Sequence, residues 1–410
     1  MFRKFILLLL LVFFVTCSKD SDNLVEDDLV ENSLTDSSSE NGDETDSSSE
    51  TGNKTDSSSE AGNKTNFNRE SMLTFWADSL IIPSQIKFEK EMQILDESII
   101  EFAKTTNKES LNSVRLNWLK AYKAWQHIEM FDIGKAEEIY YPFRMNIYPV
   151  NTARVENNVS KRIENIENPN DHSCQGFPAL DYLLFGLNSD QEELLKKYTA
   201  EDPSNDNNNY MNYLLIVSNK MLELTNTVVI DWQTYRNTFI ASTENTMTSS
   251  INKFTNDFIY YYEKGFRANK IGIPAGVFSG GVLPDRAEAY YKKNVSKELS
   301  LEALKAITNF FIGKPFSDNN SETGISFKHY IEFFETKKDG ISLAELILKQ
   351  FDLSKESINK LNDDFTIQLD NNKMDMLITY DIIQKAVVLM KVDMLQAINI
   401  NVDYQDADGD

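Results

Sequence analysis

The sequence predicts an all-helical protein with a globular part in two halves. In several long stretches, Leu111–Asp132, Tyr210–Val229, Trp232–Tyr262 and Met374–Ile400, apolar residues recur at three- and four-residue spacings. A polar break, Glu201 to Asn209, holds Pro203 and several Asn and separates the halves. With 41% hydrophobic and 11% aromatic residues in 410, the chain can bury one or two sizeable cores.

The first sixty-six residues lie outside that globular part. Arg3 and Lys4 precede an apolar run from Ile6 to Val15, the layout of a signal peptide over residues 1–16, too short for a comfortable membrane span. Phe14-Val15-Thr16-Cys17 resembles a bacterial lipobox, which makes Cys17 the lipid-bearing N-terminus after cleavage. Several acyl chains, at ~0.8 kcal/mol per buried methylene, anchor a protein stably. Ser18 after the cysteine is similar to an outer-membrane sorting pattern, and Lys19-Asp20-Ser21-Asp22 to a surface-export signal. Residues 17–66 are a disordered tether. They repeat Thr-Asp-Ser-Ser-Ser-Glu from Thr35, Thr45 and Thr55 and hold too little apolar surface to offset the entropy of ordering. Cys174 is then the one remaining thiol, so no intramolecular disulfide forms in the mature chain. The net charge of -23 argues against a nucleic-acid partner, whose phosphates it would repel.

The first half spans residues 67–202. Phe75 to Ala103 has helical spacing interrupted at Pro83. In Leu111–Asp132, at ~100° per residue, Trp118, Tyr122, Trp125 and Glu129 share a face with Asp132 nearby, and His127 lies opposite. A carboxylate facing inward beside tryptophans needs a partner; the alternative is a helix-end acid turning into solvent near Gly134. Pro142 and Pro149 preclude a regular helix over Tyr140–Asn151. Thr152–Glu167 is helical again, and His172-x-Cys174 is a loop without enough ligands for structural zinc. Gln175 to Gly186 then reads Gln-Gly-Phe-Pro-Ala-Leu-Asp-Tyr-Leu-Leu-Phe-Gly. Gly176 and Pro178 mark a loop entering a helix, with Asp181 in its first turn, where the helix dipole favours an acid.

The second half spans residues 203–410. Phe254, Phe258, Tyr261 and Tyr262 give the helix before Tyr262 a bulky core side. Arg267 to Arg286, with four Gly and two Pro, is expected to be a long loop, and such loops are often functional. Ser279-Gly280-Gly281 lacks the Gly-Lys-Ser/Thr of a phosphate loop. Glu288-Ala-Tyr-Tyr is expected to open the next helix, and Leu299–Phe311 to end at Gly313. Further helices are expected at Gly324–Lys337, which carries His329, and Ala344–Phe351. Asp381, Lys385, Lys391 and Asp393 exclude a membrane span from Met374–Ile400. The chain closes on Asp406-Ala-Asp408-Gly-Asp410, a calcium-like loop that ends before its bidentate acid.

These motifs, taken together and in order, resemble the imelysin family of bacterial envelope proteins, grouped with metallopeptidases and implicated in iron uptake. The resemblance covers about Phe67 to Asp410. Trp125 and Glu129 match its Trp-helix acid; Arg144, Tyr148 and Pro149 match its connecting segment; Lys270-Ile-Gly-Ile-Pro and Glu288-Ala-Tyr-Tyr match its second-domain signature. The central stretch matches Gly-x-His-x-x-Glu with Gly176 in place, Pro178 for the histidine and Asp181 for the glutamate. A His-x-x-Glu pair puts two ligands on one helix face, and proline has no side-chain donor. The resemblance implies two four-helix-bundle-like halves with a pocket between them near the central helix. Asp181 and Glu129 become the candidate metal ligands, and Gly176, Pro178, Tyr182, Arg144, Arg267, Lys270 and Glu288 the candidate pocket residues.

Three functions follow from this reading. One is a lipid-anchored envelope component of an iron or haem uptake system, with Asp181, Glu129 and Tyr182 as oxygen donors of the kind hard ferric iron accepts; iron, zinc and haem are the candidate ligands. The second is a metallopeptidase of the family, which requires a metal with an open position and a base; His127, His172 and His329 are scattered, and none stands at the motif. The third is a surface lipoprotein that has lost metal chemistry and binds a peptide or protein. No transporter, oligomeric state or membrane face is indicated.

Overall fold

The computed structural model describes residues 66–199, 207–316 and 322–404. The expected signal peptide, Cys17, nearly all of the tether and the acidic terminus from residue 405 lie outside the described residues. α1 (Arg69–Phe75), capped by the Asn68 side chain, runs through a π turn (Trp76–Ile81) directly into α2 (Ile82–Lys104). Pro83 therefore does not break the helix. It stands in the first turn of α2, where the π turn just before it takes up the distortion of a residue without an N–H.

α3 (Lys108–Trp125) opens on a reciprocal cap between Asn107 and Ser110 and stops earlier than expected, so Glu129 lies in the turns beyond it. Trp118, Tyr122 and Trp125 are fully buried as the periodicity requires. His127 is buried too, because the opposite face is covered as well: its ring stacks on Phe316 at 3.5 Å, and its Nε2 lies 2.6 Å from Glu302. Short elements follow: α4 (Lys135–Glu138), α5 (Tyr141–Met145), α6 (Thr152–Ser160) and a 3-10 turn (Pro169–Cys174). α7 (Gly176–Asp181) continues as a π turn (Tyr182–Gly186), and α8 (Gln191–Thr199) and α9 (Asn207–Ala241) complete the region. α2 packs along both α3 and α9, and α7 and α8 lie against α9. The helix that begins at the polar break thus shares the core of the first half, and Asn63–Asp410 form one compact unit.

α10 (Ser250–Tyr260) runs on as a long π segment (Tyr261–Gly272) into α11 (Ile273–Ala275). Much of the expected loop is therefore helical. Its composition misleads at Gly272, which serves close approach, since a Cβ there would stand 2.6 Å from the Tyr380 ring, while Gly276 and Gly280, at positive φ, do turn the chain. A second correction concerns Glu288, which does not open a helix. It sits in a turn between a 3-10 element (Pro284–Arg286) and α12 (Ser296–Ile312), with Ala289, Lys293 and Asn294 at positive φ.

α12 ends at Gly313 as expected. α13 (Phe327–Phe333), a small unanticipated hairpin of β1 (Lys337–Lys338) and β2 (Ile341–Ser342), and α14 (Leu343–Asn359) follow. α15 (Phe365–Val388) is kinked at Asn372 and passes through a π turn (Leu389–Met394) into α16 (Leu395–Ala397). α15 packs on α14 and on the π segment 261–272, and α12 packs on both of these. Trp76, Phe254, Phe310 and Phe327 join the two regions in one aromatic cluster, with centroids 4.7–5.2 Å from Trp76. No helix among the described residues is long and apolar enough to cross a membrane.

Candidate functional site

The buried polar centre is assembled from four separate stretches. Glu129 comes from the turns after α3, Asn146 from the end of α5, Lys270 and Tyr261 from the π segment, and Glu288 from the turn before α12. In an α-helix the nine-residue step from Tyr261 to Lys270 would make two and a half turns and set them on opposite sides; the wider π spacing brings both to Glu129. Lys270 Nζ lies 2.9 Å from each oxygen of Glu288 and 3.5 Å from Glu129 Oε2. Asn146 Nδ2 donates to Glu129 at 2.8 Å and to Glu288 at 3.0 Å, and Gln126 Nε2 donates to Glu288 at 3.2 Å. The Tyr261 hydroxyl donates to Glu129 at 3.0 Å, and the Tyr122 hydroxyl to Asn146 Oδ1 at 2.6 Å.

Burial sets the chemistry of this group. Lys270 and Glu288 are each 1% exposed, while the Glu129 side chain keeps 12%. Burial by itself pulls the Lys270 pKa down, but Glu129 and Glu288 outweigh it and hold the ammonium above its ordinary value. Tyr122, Tyr148 and Tyr261 are pushed well up, first by burial and then by the same carboxylates, so all three stay neutral, and Tyr122 and Tyr261 serve as hydrogen-bond donors. Two carboxylates against one ammonium leave one negative charge, presented by Glu129.

Glu129 opens onto a cleft of about 630 Å³ between α5 and the π segment. Tyr148 and Tyr261 stand beside it, Phe143, Tyr260 and Phe278 line it with half-exposed rings, and Lys264 and Arg286 add cations. Asp132 and Asp257 share another part of the wall. Burial raises Asp132 to about 6 and Asp257 to about 8, with their mutual repulsion adding to the second. A volume of this size suits a compact organic molecule better than a bare ion.

The central motif helix supports this cleft from behind. Gly176, with φ +77°, lets the Met145 carbonyl approach to where a Cβ would be 2.3 Å away, which fixes the end of α5 and hence Asn146. Phe177 stacks flat on Tyr122, centroids 4.3 Å apart. The helix starts at Gly176, two residues before the expected point, so Pro178 is its third residue and Asp181 its sixth, beyond the first turn. Pro178 costs no hydrogen bond there, since the first N–H groups of a helix have no intrahelical partner. Asp181 is 2% exposed and accepts the backbone N–H groups of Tyr291 and Lys292, each at 2.8 Å; burial still pushes its pKa up to about 7.

Asp181 and Glu129, the expected metal pair, are thus held by different partners. Asp181 and Glu129 share no hydrogen-bond partner, and among the described residues no group of three or more His, Cys, Asp or Glu is placed to hold a metal ion. Pro178 offers no donor, and Asp181 spends both oxygens on backbone amides, so these residues do not fit the metal implied by a Gly-x-His-x-x-Glu motif. Of the other candidates, Lys270 and Glu288 join Glu129. Tyr182 instead donates to Glu156 at 2.6 Å, Arg144 pairs with Glu167 at 3.0 Å, and Arg267 packs over Tyr380 and lies 3.5 Å from Glu263. Asn146, Gln126 and Asp257 carry no mark in the sequence. Tyr122 and Tyr261 read there as core aromatics, and only the fold shows their hydroxyls turned to Asn146 and Glu129.

The family model for imelysin, peptidase family M75, matches residues 85–389. An imelysin-like protein from Psychrobacter arcticum 273-4 superposes with a TM-score of 0.62 at 16% identity, covering 82% of this chain and 97% of that one. A protein described as an iron-regulated protein A precursor, from Parabacteroides distasonis ATCC 8503, superposes with a TM-score of 0.63 at 17% identity, covering 80% and 96%. At such identities the two structures show a common fold and no more. Comparison with curated proteins gave no match. The family match spans well over half of the chain: this protein belongs to the imelysin family.

Proposed function

We propose that the protein is a lipid-anchored binding component of the cell envelope that serves iron acquisition by capturing iron as an organic complex, haem among them, without peptidase activity. The observation that carries this reading is the cleft of about 630 Å³, with Glu129 at its floor, aromatic rings on its walls and Lys264 and Arg286 for an anionic group on the ligand. Support for the iron connection comes from the neighbour described as iron-regulated. Peptidase chemistry would need a metal with an open position, and the motif residues hold no set of donors for one. The lipobox-like Phe14-Val15-Thr16-Cys17 supports anchoring through Cys17 at the outer membrane.

Titration of the purified full chain with haem and with a ferric hydroxamate, followed by calorimetry, tests this. One-to-one binding of either supports the reading. Binding of neither, with capture of a peptide in the cleft instead, moves the function to peptide recognition. Cys17→Ala is expected to release the protein from the membrane fraction, and retention there would refute the anchor.

A further inference from the structure

The place where this fold gathers carboxylates already contains a cation. Lys270 Nζ meets both oxygens of Glu288 at 2.9 Å and faces Glu129 at 3.5 Å, with Asn146 and Gln126 completing the ring of donors around the acids. The ammonium is 1% exposed and arrives on the π segment, whose irregular spacing is what aims it inward. Glu288, also 1% exposed, has no other cation within ion-pair distance among the described residues. Without Lys270 the site would be two carboxylates with a cavity of one side-chain head between them and amide groups alongside. A small cation fills such a gap well, because each carboxylate oxygen is a hard donor and a buried, unneutralised acid pair is costly.

We propose that Lys270 is a built-in cation that takes the place of a metal ion between Glu129 and Glu288, closing the carboxylate site of this chain to metals. The motif side of the site agrees with this assignment. Pro178 brings no donor, and Asp181 is committed to the amides of Tyr291 and Lys292, so the motif residues offer no competing set of ligands. The charge count then distinguishes this floor from a metal-loaded one: one fixed positive group and two acids leave a single negative charge, shown to the cleft by Glu129, where a divalent ion would leave none. Because the cation is covalent, the floor of the cleft keeps its geometry whatever the surrounding metal concentration. The inference concerns the floor alone and stands whether or not the cleft captures an iron complex.

The test compares full-length wild type, Lys270→Ala and Lys270→Arg by calorimetric titration with Zn²⁺ and Mn²⁺ and by thermal unfolding with and without these ions. Lys270→Ala is expected to gain one binding event at least about tenfold tighter than any in the wild type, and added metal then raises its Tm by mass action. The event disappears in Lys270→Ala with Glu288→Gln, and Lys270→Arg, which keeps the cation, does not acquire it. Should Lys270→Ala fail to fold alone, refolding with Zn²⁺ present restores it. The proposal is overturned if the wild type binds a metal in a Glu288-dependent way, if folded Lys270→Ala gains no site, or if metal does not rescue an unfolded one. None of these readouts involves haem or a ferric hydroxamate, so its failure is separable from failure of the iron-complex reading.

Discussion

Asp181 reaches across 110 residues to accept the backbone N–H of Tyr291 at 2.8 Å, and takes that of Lys292 with its other oxygen. The acid that stands in a ligand position of the family motif is therefore a clasp between α7 and the turn that carries Glu288. Asp181→Ala strands two N–H groups and is expected to cost about 2–4 kcal/mol in urea unfolding. Asp181→Asn keeps one acceptor and loses less. A change below about 0.5 kcal/mol in the alanine variant would show that the clasp is not structural.

Gly176→Ala sets a methyl against the Met145 carbonyl and forces φ +77° on a residue with a Cβ. A loss of about 2–4 kcal/mol is expected from the clash and the backbone strain together. Because Asn146 follows Met145, ligand affinity should fall with it; unchanged affinity in a destabilised variant would separate the motif helix from the cleft.

Asn146 donates to both Glu129 and Glu288, so Asn146→Asp replaces a donor with a third acid in a buried place. The variant is expected to lose about 2–3 kcal/mol at pH 7 and to recover part of it at pH 5, where the added carboxyl is protonated. Equal losses at both pH values, measured by chemical unfolding, would contradict the arrangement.

Asp257 and Asp132 give the protein a pH dependence whose sign is fixed. Their pKa values are raised, to about 8 and about 6, mainly by burial, so between pH 4 and 8 the folded state binds more protons than the unfolded one. Stability contributed by these acids is full below their unfolded pKa and is lost as pH rises through the folded values. Asp257→Asn should therefore raise stability at pH 8.5 by roughly 1 kcal/mol, allowing for solvent screening, and change little at pH 4. Thermal unfolding at the two pH values checks this.

The helical class was legible in the sequence because α3, α9 and α15 carry apolar residues at the spacing a buried helix face needs. Glu129, Lys270 and Glu288 were legible as motif residues, but their meeting was not, since it depends on a π segment that glycine and proline disguise as a loop. Asp181 was misplaced for a related reason. Its sequence neighbours describe a helix start, while its partners, two main-chain amides more than a hundred residues away, leave no trace in side-chain identity. His127 shows the same limit from the other side: periodicity placed it opposite the core face, and Phe316 and Glu302 bury it there.

The most direct test of the central claim is a titration of the full chain with haem, a ferric hydroxamate and bare ferric and zinc ions, run on wild type, Glu129→Gln, Phe278→Ala and Asp181→Asn. The account predicts one-to-one binding of an organic iron complex, weakened about tenfold, or ~1.4 kcal/mol, by Glu129→Gln and by Phe278→Ala and unchanged by Asp181→Asn. A bare metal ion bound by the wild type and lost in Asp181→Asn would contradict it, and would return the site to the central motif.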